Sequence, residues 1–596
     1  MALSSAPSAA ALRRAVGATL LTAGALVAVK VLRIRLRRGP KNFRKFVPKD
    51  VTRADGEDCA RDRFSTKKLP AKIDVVVVGS GIGGLYLAAL LAKSGRAVAV
   101  LEQHYIAGGC THEFTDKGWT FDTGVHYVGR VEKYGKLLDL VSADPITFAQ
   151  MGTESDGYVY DQIKIGQEAL HNLRAGRQNF IQDLVERFPE EKEAIERYVE
   201  LVVKCNKAAD LHFFGKLFPR FLERLMDRML GGKFQKLASR TVKDVLDELF
   251  RSDLLKAILV GQFGDYGMTP SSASFFIHAG IVSHYLDGGF YPVGGPQKIS
   301  RGLIKTIEQA GGRVLVNAPV ATVAVARGRV TGVTLKNGAS ISAPVVVSAA
   351  GAEATGKFFP QYAPPEKLQG GISHMYAFVG LKGTKEELQL GSSNLWALPS
   401  KDIEKDLARY YADPWPMVDS GAMLQFVGFP SAKDPEAAAK HPGKSTCVII
   451  SEAKESWFGP WREARQGRRG RDYEDLKHRF QEGMIKGLLK SFPQLEGRIE
   501  YVEMASPLSN VHYLNRAASY GLQHPPSRYT VTEGLRPGCL GGVEGMWITG
   551  QDVTTNGFAG ALMGGVLTAH GILGYGFWEL VVCGRDLITD MMSLDK

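Results

Sequence analysis

Residues 73–102 read IDVVVVGSGIGGLYLAALLAKSGRAVAVLE, and the order of elements in this stretch decides the fold. It begins with a short run of β-branched residues that is typical of a buried parallel strand. A glycine-rich loop follows, then a helical pattern over residues 85–95 and a second buried strand over residues 97–101. Glu102 stands at the end of that second strand. This order predicts a βαβ unit that binds a dinucleotide.

The glycines of the loop have separate expected roles. Gly79 permits the tight turn, Gly81 lets the backbone approach a pyrophosphate, and Gly84 lets helix and strand pack closely. Gly83 completes the loop, and the helix N-terminus behind it presents free N–H groups to phosphates. Glu102 can accept hydrogen bonds from ribose hydroxyls. The alternative is a glycine-rich turn in an ordinary βαβ unit, which leaves Glu102 unexplained.

The composition is that of a large globular protein whose basic charge is concentrated at one end. The chain has 596 residues, of which 44% are hydrophobic, enough for about two to four domains. Residues 1–49 hold eleven Lys and Arg and no Asp or Glu, so the rest carries 63 basic against 62 acidic residues. This distribution argues against a nucleic-acid partner. The six cysteines show no CxxC spacing, so neither a disulfide framework nor a metal site is predicted.

The N-terminal segment, residues 1–49, is predicted to be a signal or membrane anchor. Its apolar run covers residues 15–32, is interrupted by Lys30, and is followed by a basic block. A helix of this length spans about 27 Å, and the hydrocarbon core of a bilayer is about 30 Å thick. A retained anchor with its basic side in the cytosol, a cleaved signal peptide and an organelle transit peptide all stay open. Residues 50–72 are expected to be a linker.

A second glycine pair lies shortly after the βαβ unit. Gly108-Gly109 follows Glu102 by six residues, and residues 118–127 read GWTFDTGVHY. This combination resembles flavin enzymes of the phytoene desaturase and amine oxidase type, in which backbone N–H groups of the pair approach the cofactor phosphates. The resemblance implies that the dinucleotide is FAD.

Two later stretches complete the expected cofactor site. Residues 345–351 (VVVSAAG) are predicted to form a buried strand that ends in small side chains. Residues 547–552 (WITGQD) end another strand and lead into a glycine-rich helix. We expect Gly550 and Asp552 to lie at the flavin, with Asp552 on the ribityl chain and the helix N-terminus at the pyrimidine end. A purely structural role for Asp552 as a helix cap is the alternative.

From about residue 74 to residue 573 the chain resembles the carotenoid and retinoid oxidoreductases, a flavin family that includes phytoene desaturases and carotenoid isomerases. The most specific stretches are FPSAKDP at residues 429–435 and FPQLEG at residues 492–497. Two loops, residues 110–114 and 515–521, differ from the family pattern and are expected to border the substrate.

The resemblance implies an FAD-dependent oxidoreductase. Val320 would meet the adenine through its backbone, and Ala349 would lie close to the cofactor. The expected reaction saturates one C=C bond of a retinoid or related polyene, with a hydride from reduced flavin and a proton from a side chain or water. Isomerisation or desaturation of a carotenoid, and non-enzymatic lipid carriage of the GDP-dissociation-inhibitor type, stay open as alternatives.

The proton donor is expected among two His-Tyr pairs. His126 and Tyr127 end the GWTFDTGVHY stretch, and His284 and Tyr285 lie just before a GGFYPVGG segment. Each of the four is a candidate to donate a proton or to line the pocket. A buried His or Tyr with a satisfied hydrogen bond is the alternative for each.

The sequence therefore predicts an α/β protein in which an FAD-binding domain of Rossmann type is built from discontinuous segments. An α+β substrate domain is inserted into it, and a hydrophobic anchor precedes it. We assign the FAD-binding domain to residues 73–150, 291–355 and 530–575. The membrane-facing substrate domain is assigned to residues 151–290 and 356–529.

The substrate domain carries candidate membrane contacts. Residues 151–290 look largely helical, with helical spacing over residues 179–204. Residues 212–230 combine aromatic, aliphatic and basic side chains, which favours a helix that dips into a bilayer over a core helix with a charged outer face. The apolar residues 571–583 are a further candidate. We expect a lipid substrate, a membrane surface as partner, and a location at the endoplasmic reticulum membrane with the body on its cytosolic face.

The sequence contains no second dinucleotide-binding motif that would identify the electron source. The sequence contains one dinucleotide loop, which FAD would occupy, and Glu102 would repel the 2′-phosphate of NADPH there. Two reductants therefore stay open, NAD(P)H bound without a Rossmann motif and an electron-donor protein.

Overall fold

The computed structural model describes residues 48–51, 57–216, 220–229, 232–365, 370–529 and 535–574. Almost all of the predicted anchor and most of residues 571–583 lie outside this part of the chain. The unit Val47–Gly571 is compact and contains the fold.

Strands occur along the whole described chain. In chain order they are β1 (Val75–Val78), β2 (Val98–Leu101), β3 (Glu113–Asp116), β4 (Trp119–Asp122), β5 (Phe148–Gln150), β6 (Val159–Ile165), β7 (His171–Arg174), β8 (Phe290–Pro292), β9 (Arg313–Leu315), β10 (Val320–Ala326), β11 (Arg329–Leu335), β12 (Ser340–Ser342), β13 (Val345–Ser348), β14 (His374–Lys382), β15 (Asn394–Leu398), β16 (Gln425–Gly428), β17 (Lys444–Glu452), β18 (Ile499–Ala505) and β19 (Met546–Ile548).

The α-helices are concentrated between β7 and β8. In chain order they are α1 (Ile82–Lys93), α2 (Val131–Val141), α3 (Arg177–Arg187), α4 (Lys192–Gly215), α5 (Arg220–Met229), α6 (Lys233–Ala238), α7 (Val242–Leu249), α8 (Asp253–Leu259), α9 (Phe275–Tyr285), α10 (Gln297–Gln309), α11 (Ala352–Phe358), α12 (Ile403–Ala412), α13 (Trp415–Ser420), α14 (Pro430–Lys433), α15 (Ala437–Lys440), α16 (Arg471–Ser491), α17 (Pro507–Leu514) and α18 (Gly557–Leu573).

Five strands from distant parts of the chain form one parallel sheet. Its order is β19-β13-β1-β2-β9, and all neighbouring pairs are parallel. The central strand β1 is buried along its whole length, which explains its four consecutive valines. The predicted βαβ unit is thus confirmed. The helix α1 begins at Ile82, three residues before the predicted start, because Gly81 in the loop is already its N-cap.

Helices and a small antiparallel sheet cover the parallel sheet. The helix α1 packs against α10 and α18, and the three-stranded sheet β10-β11-β12 packs on β13. The turn between β11 and β12 contains Asn337-Gly338, where Gly338 has a φ of +85°. An Asn-Gly turn of this kind is what the sequence predicts.

The second large sheet is mixed and lies between two layers of helices. Its order is β18-β14-β17-β16-β15-β6-β7, with β6 and β15 parallel and the other neighbours antiparallel. One face packs on the helices between β7 and β8, around a core that includes Tyr198 and Trp396. The other face packs on α16, around a core that includes Met375 and Phe480.

Two helical predictions differ from the structure. The helical spacing over residues 179–204 is divided between α3 and α4, because Pro189 lacks a backbone N–H and a 3-10 turn, Pro189–Glu191, separates the two helices. The segment 151–290 is helical over most of its length, as expected, but it opens with a 3-10 turn, Glu154–Asp156, and the antiparallel strands β6 and β7, and its first α-helix begins at Arg177.

The segment predicted to dip into a membrane includes α5. Phe221 and Leu225 on this helix are 66% and 42% exposed, and Arg224 and Arg228 are exposed as well. The helix therefore presents apolar and basic side chains to the outside. In the part of the chain that the structure describes, no helix is both long and apolar enough to cross a bilayer.

Candidate functional site

The predicted cofactor stretches meet around the N-terminus of α1. A Cβ atom placed on Gly83 would lie 2.9 Å from the Cα of Gly550, and one on Gly109 would lie 2.8 Å from the Cα of Gly81. Contacts this close require glycine. The loops that follow β1, β2 and β19 are therefore in direct backbone contact.

The glycine loop leaves room for a phosphate group. Gly79 has a φ of +99°, which side chains rarely adopt, and a Cβ on Gly84 would lie 2.8 Å from the Cβ of Ala349. A Cβ on Gly81 would meet no atom within 4 Å, so open space lies over this backbone. As the N-cap of α1, Gly81 also offers no side chain to the first N–H groups of the helix. Both observations fit a pyrophosphate at this position.

Glu102 lies beside the same loop. Its Oε2 accepts hydrogen bonds from Ser80 N at 3.0 Å and Ser80 Oγ at 2.6 Å, and its Oε1 accepts one from His104 N at 3.0 Å. Each carboxylate oxygen accepts about two hydrogen bonds, so Oε1 keeps room for a ribose hydroxyl. Ser80 Oγ also accepts a hydrogen bond from Gly108 N at 3.1 Å, which ties the second glycine pair to the loop. Sequence reasoning did not identify Ser80, although it is the polar residue inside the loop.

The two residues named only by the resemblance lie close to these loops. Val320 is the first residue of β10, and Ala318, two residues before it, donates a hydrogen bond from its N–H to Glu102 O at 2.7 Å. A Cβ on Gly79 would lie 3.3 Å from the carbonyl of Ala349. Their contacts with a cofactor stay predictions.

Asp552 has a structural role in this arrangement. Its Oδ2 accepts a hydrogen bond from Ala352 N at 2.7 Å, and its Oδ1 accepts one from Leu522 N at 2.8 Å. Asp552 therefore caps the N-terminus of α11. A capping role is the structural alternative given above, but the helix capped is α11 and not α18, which follows Asp552 in the sequence. A cleft lined by Asp552 and Arg516, among others, lies next to the carboxylate, and each oxygen retains acceptor capacity. Its contact with a flavin stays a prediction.

Partly exposed side chains lie inside the fold next to the second glycine pair. Cys110 keeps exposed surface although burial raises the pKa of its thiol. Asp265, Tyr376 and Tyr520 are half-buried, and Tyr520 interacts electrostatically with Cys110, Tyr376 and Asp265. From this interior surface we infer a cleft, and we define the interior cleft by these four residues.

Tyr127 lies at the centre of a buried polar cluster beside the interior cleft. Its hydroxyl oxygen is 2.9 Å from Asp161 Oδ2 and 3.0 Å from Asp265 Oδ2. Its ring stacks on that of Tyr285, with 4.3 Å between the ring centroids and 8° between the planes. Burial and the two carboxyl groups hold the pKa of Tyr127 well above its usual value, so the phenol keeps its proton.

The two carboxyl groups beside Tyr127 have different surroundings. Asp161 accepts hydrogen bonds from Gln262 at 2.6 Å, Asn394 at 2.7 Å and Trp396 at 3.1 Å. Burial raises the pKa of Asp161 to about 6, against the effect of these donors. Burial, with the charge of Asp161 nearby, raises the pKa of Asp265 to about 8. At neutral pH Asp161 is therefore mainly ionised and Asp265 mainly protonated.

Lys433, in the FPSAKDP stretch, makes buried hydrogen bonds next to the Tyr127 cluster. Its Nζ donates hydrogen bonds to His126 O at 3.0 Å and to Asn394 Oδ1 at 2.5 Å. Burial lowers the pKa of Lys433 to about 8, and the nearby Asp122 and Asp161 oppose this shift. The lysine is a buried positive charge among carboxyl groups, a role that sequence reasoning did not assign to it.

The structure disfavours the two histidines as proton donors. Burial and the charge of Lys433 lower the pKa of His126 to about 3, and burial and the charge of Arg130 lower that of His284 to about 3. His284 Nε2 accepts a hydrogen bond from Gly129 N at 2.8 Å, whereas His126 Nδ1 has no partner among the described residues. A neutral imidazole is a weak acid at physiological pH. The groups of the cluster that hold an acidic proton are Tyr127 and Asp265, and the ring of Tyr285 stacks on that of Tyr127.

These features define the class of protein, an oxidoreductase with a Rossmann-type dinucleotide-binding domain. The family described as NAD(P)-binding Rossmann-like domain matches residues 77–143. Over 560 residues the chain is 37% identical to all-trans-retinol 13,14-reductase from Homo sapiens, with 90% of each chain covered. The chain belongs to the all-trans-retinol 13,14-reductase family.

Two further comparisons bear on activity and fold. The chain is 30% identical over 535 residues to a Danio rerio protein named inactive all-trans-retinol 13,14-reductase, with 86% of this chain and 87% of that protein covered. Among solved structures, a putrescine oxidase matches with a TM-score of 0.56 and 16% identity over 84% of this chain and 99% of that chain. The second likeness concerns the fold alone.

Proposed function

We propose that this chain binds FAD and saturates one C=C bond of all-trans-retinol or a related polyene, with 13,14-dihydroretinol as the product from retinol. The observation that carries the proposal is that Tyr520 interacts both with Cys110, next to the second glycine pair, and with Asp265 of the Tyr127 cluster, which places the cluster beside the glycine loops. Membership in the reductase family suggests the substrate class.

The residues that would hold FAD are those at which the loops meet. Open space over Gly81 and the uncapped start of α1 fit the pyrophosphate, and the remaining acceptor capacity of Glu102 fits a ribose. The other residues proposed to surround the cofactor are Gly79, Gly83, Gly84, Gly108, Gly109, Val320, Ala349, Gly550 and Asp552.

The residues of the interior cleft would position the polyene. Bound reduced flavin supplies a hydride for one carbon of the double bond. Tyr376 and Tyr520 would contact the conjugated chain through their rings, and the stack of Tyr127 on Tyr285 would border the neighbouring side. The second carbon needs a proton from a group within hydrogen-bond reach.

The electron source is part of the proposal. Each turnover oxidises the flavin, so an external reductant has to restore it. NAD(P)H bound outside the glycine loop and an electron-donor protein are the two candidates. Because Glu102 lies at the ribose end of the loop, NADPH with its 2′-phosphate is disfavoured there.

We further propose that the protein works at the surface of the endoplasmic reticulum membrane, with its body on the cytosolic side. Exposed Phe221 and Leu225 on α5 would enter the headgroup region, and Arg224 and Arg228 would meet anionic lipids. A retinoid dissolved in the bilayer would then reach the protein without crossing water. The predicted anchor, residues 1–49, would add a second attachment.

The test is an anaerobic single turnover with the full chain purified in detergent. The protein is reduced with a stoichiometric amount of dithionite and mixed with all-trans-retinol, and flavin and polyene absorbance are followed. We expect oxidised flavin to return, polyene absorbance to fall, and the product to gain the mass of two hydrogens. A product of unchanged mass would indicate isomerisation. A colourless protein that takes up no FAD would refute the proposal in favour of lipid carriage.

A further inference from the structure

The contacts of Tyr127 locate a proton. The Tyr127 hydroxyl carries one hydrogen, yet Asp161 Oδ2 and Asp265 Oδ2 lie 2.9 Å and 3.0 Å from its oxygen. The phenol can donate to only one of these carboxyl groups. The other contact is a hydrogen bond only when that carboxyl group is protonated and donates to the phenol oxygen.

The surroundings decide which carboxyl group carries the proton. Asp161 accepts three further side-chain hydrogen bonds and interacts with the charge of Lys433. Among the described residues, Tyr127 is the one side chain within hydrogen-bond distance of the Asp265 carboxyl group. Tyr127 therefore donates to ionised Asp161, and protonated Asp265 donates to Tyr127.

Asp265 also has access to the place where a substrate would lie. Asp161 is 0% exposed, whereas Asp265 is half-buried and lines the interior cleft with Tyr520. The 3-10 turn Phe263–Asp265 ends at this carboxyl group, so the backbone holds it at the wall of the cleft. A proton on Asp265 can reach the cleft without passing through the packed core.

Other buried acids with a raised pKa do not match this arrangement. Asp122, Glu113 and Glu452 are buried, and they accept hydrogen bonds from Tyr291, Gln297 and Tyr411 respectively. None of the three is among the residues of the interior cleft. Asp265 is thus the acid that is both protonated and exposed to the interior cleft.

We propose that Asp265 is the proton donor of the reductase reaction, an inference that rests on the proposed function. The O–H bond of Asp265 breaks as a C–H bond forms at one carbon of the double bond. The other carbon receives a hydride from reduced FAD, which is oxidised by two electrons. Asp265 is left as a carboxylate and takes a proton from water before the next turnover. Tyr127 is a positioning residue that orients Asp265 through their hydrogen bond.

If Asp265 donates the proton, the rate at which retinol oxidises the reduced enzyme depends on pH. The titratable groups that face Asp265 are Asp161, Tyr127, Tyr266, Tyr285 and Tyr520. Burial keeps the four phenols protonated, and burial with the Asp161 charge raises the pKa of Asp265 to about 8. A donor must be protonated, so oxidation of the reduced enzyme by retinol is expected to slow as the pH rises through about 8.

The experiment isolates the half-reaction that needs the proton. Enzyme reduced with dithionite is mixed anaerobically with all-trans-retinol in a stopped-flow instrument, and the return of oxidised flavin is timed. Asp265→Asn keeps the shape but holds no acidic proton, and we expect it to slow this step at least about 100-fold. Its FAD content and its reduction by dithionite are expected to stay at wild-type levels. Asp265→Glu is expected to recover part of the rate, and the exposed Asp287→Asn is the matched control.

The outcomes separate this inference from the proposed function. A wild-type enzyme that no retinoid reoxidises would overturn the proposed function and this inference together. Reoxidation of Asp265→Asn within about threefold of wild type would overturn the inference alone. If the variant fails to bind FAD, the wild-type pH profile decides, because a rate that stays constant between pH 6.5 and 9.5 contradicts an Asp265 donor. Tyr127→Phe, which removes the positioning hydrogen bond, is expected to shift that profile and to lower the rate less than Asp265→Asn does.

Discussion

Gly83 and Gly550 are in backbone contact although they lie near opposite ends of the chain. A Cβ atom on Gly83 would come within 2.9 Å of the Cα of Gly550 and within 2.7 Å of the carbonyl oxygen of Ala561. The contact joins α1 to the segment between β19 and α18. The two sides of the proposed dinucleotide site can therefore approach each other this closely only because residue 83 has no side chain.

Replacing Gly83 by Ala is expected to damage both stability and cofactor binding. The added methyl group would meet backbone atoms that cannot rotate away, and overpacking of this kind costs about 1–3 kcal/mol. The measurements are the melting temperature and the flavin-to-protein absorbance ratio of the purified chain. Gly280→Ala in α9 is the control, because a Cβ there meets no atom within 4 Å and alanine favours a helix. Wild-type values for Gly83→Ala would show that the contact tolerates a side chain.

Glu102→Gln is expected to weaken FAD binding. The amide would present an NH2 group to the N–H of either Ser80 or His104, so one buried donor would lose its acceptor. A loss of this kind costs about 1–3 kcal/mol, and where it falls on the FAD-bound state it raises the dissociation constant about 5- to 150-fold. Titration of the apoprotein with FAD, followed by flavin fluorescence, measures the change. Glu544→Gln, at an exposed ion pair with Arg329, is the control and should bind FAD as the wild type does.

Glu452 is expected to make stability depend on pH. Burial raises its pKa to about 8, and its Oε1 has no partner among the described residues. The pKa of an unfolded Glu is about 4.3, so folding takes up a proton between these values. Its contribution to stability is complete below about pH 4 and is lost as the pH rises through about 8.

Glu452→Gln removes this titration. We expect the variant to raise the melting temperature more at pH 8 than at pH 5. In the wild type the Glu452 carboxyl loses its stabilising contribution between these pH values, whereas the amide of the variant does not titrate. Glu500→Gln, at an exposed position, should change the melting temperature equally at both values. A Glu452→Gln effect that is the same at pH 5 and pH 8 would contradict the assignment.

The exposed side chains of α5 are expected to help the protein take retinol from membranes. Phe221→Ser combined with Leu225→Ser should raise KM several-fold for retinol supplied in anionic vesicles, because the helix loses its apolar contact with lipid. With retinol in detergent, KM and kcat should stay unchanged. Leu170→Ser removes an equally exposed apolar side chain, 43% exposed, from another part of the surface. Equal effects of the two changes would argue against a specific membrane contact.

Local patterns in the sequence were sufficient to predict the dinucleotide loop. Gly79, Gly81 and Glu102 act within one βαβ unit, so their spacing reflects the geometry of a single strand, turn and helix. The Asn337-Gly338 turn was predictable for the same reason. The split between α3 and α4 shows the limit of periodicity, since a continuous apolar pattern crosses Pro189 and only the missing N–H interrupts the helix.

The Tyr127 cluster has no such local signal. Asp161 comes from β6, Asp265 from a 3-10 turn after α8, and Tyr127 from the loop after β4. They meet only because β6 pairs with the distant strand β15 and the helices pack on that sheet. Sequence reasoning found Tyr127 through its motif but could not rank it above His126, because burial sets the protonation state of both. Tertiary packing therefore decides the chemistry at this site.

The order of the parallel sheet has a consequence for biosynthesis. The neighbour of β13 on its outer side is β19, which a ribosome makes among the last residues of the described chain. Until β19 emerges, β13 is an open edge with unpaired N–H and C=O groups that invite aggregation. This edge of the nascent polypeptide is thus exposed while residues 349–545 are made, and it calls for chaperone protection. A stalled ribosome complex that ends before residue 546 should hold no flavin fluorescence, and one that did would show that the pocket can assemble without the final strand.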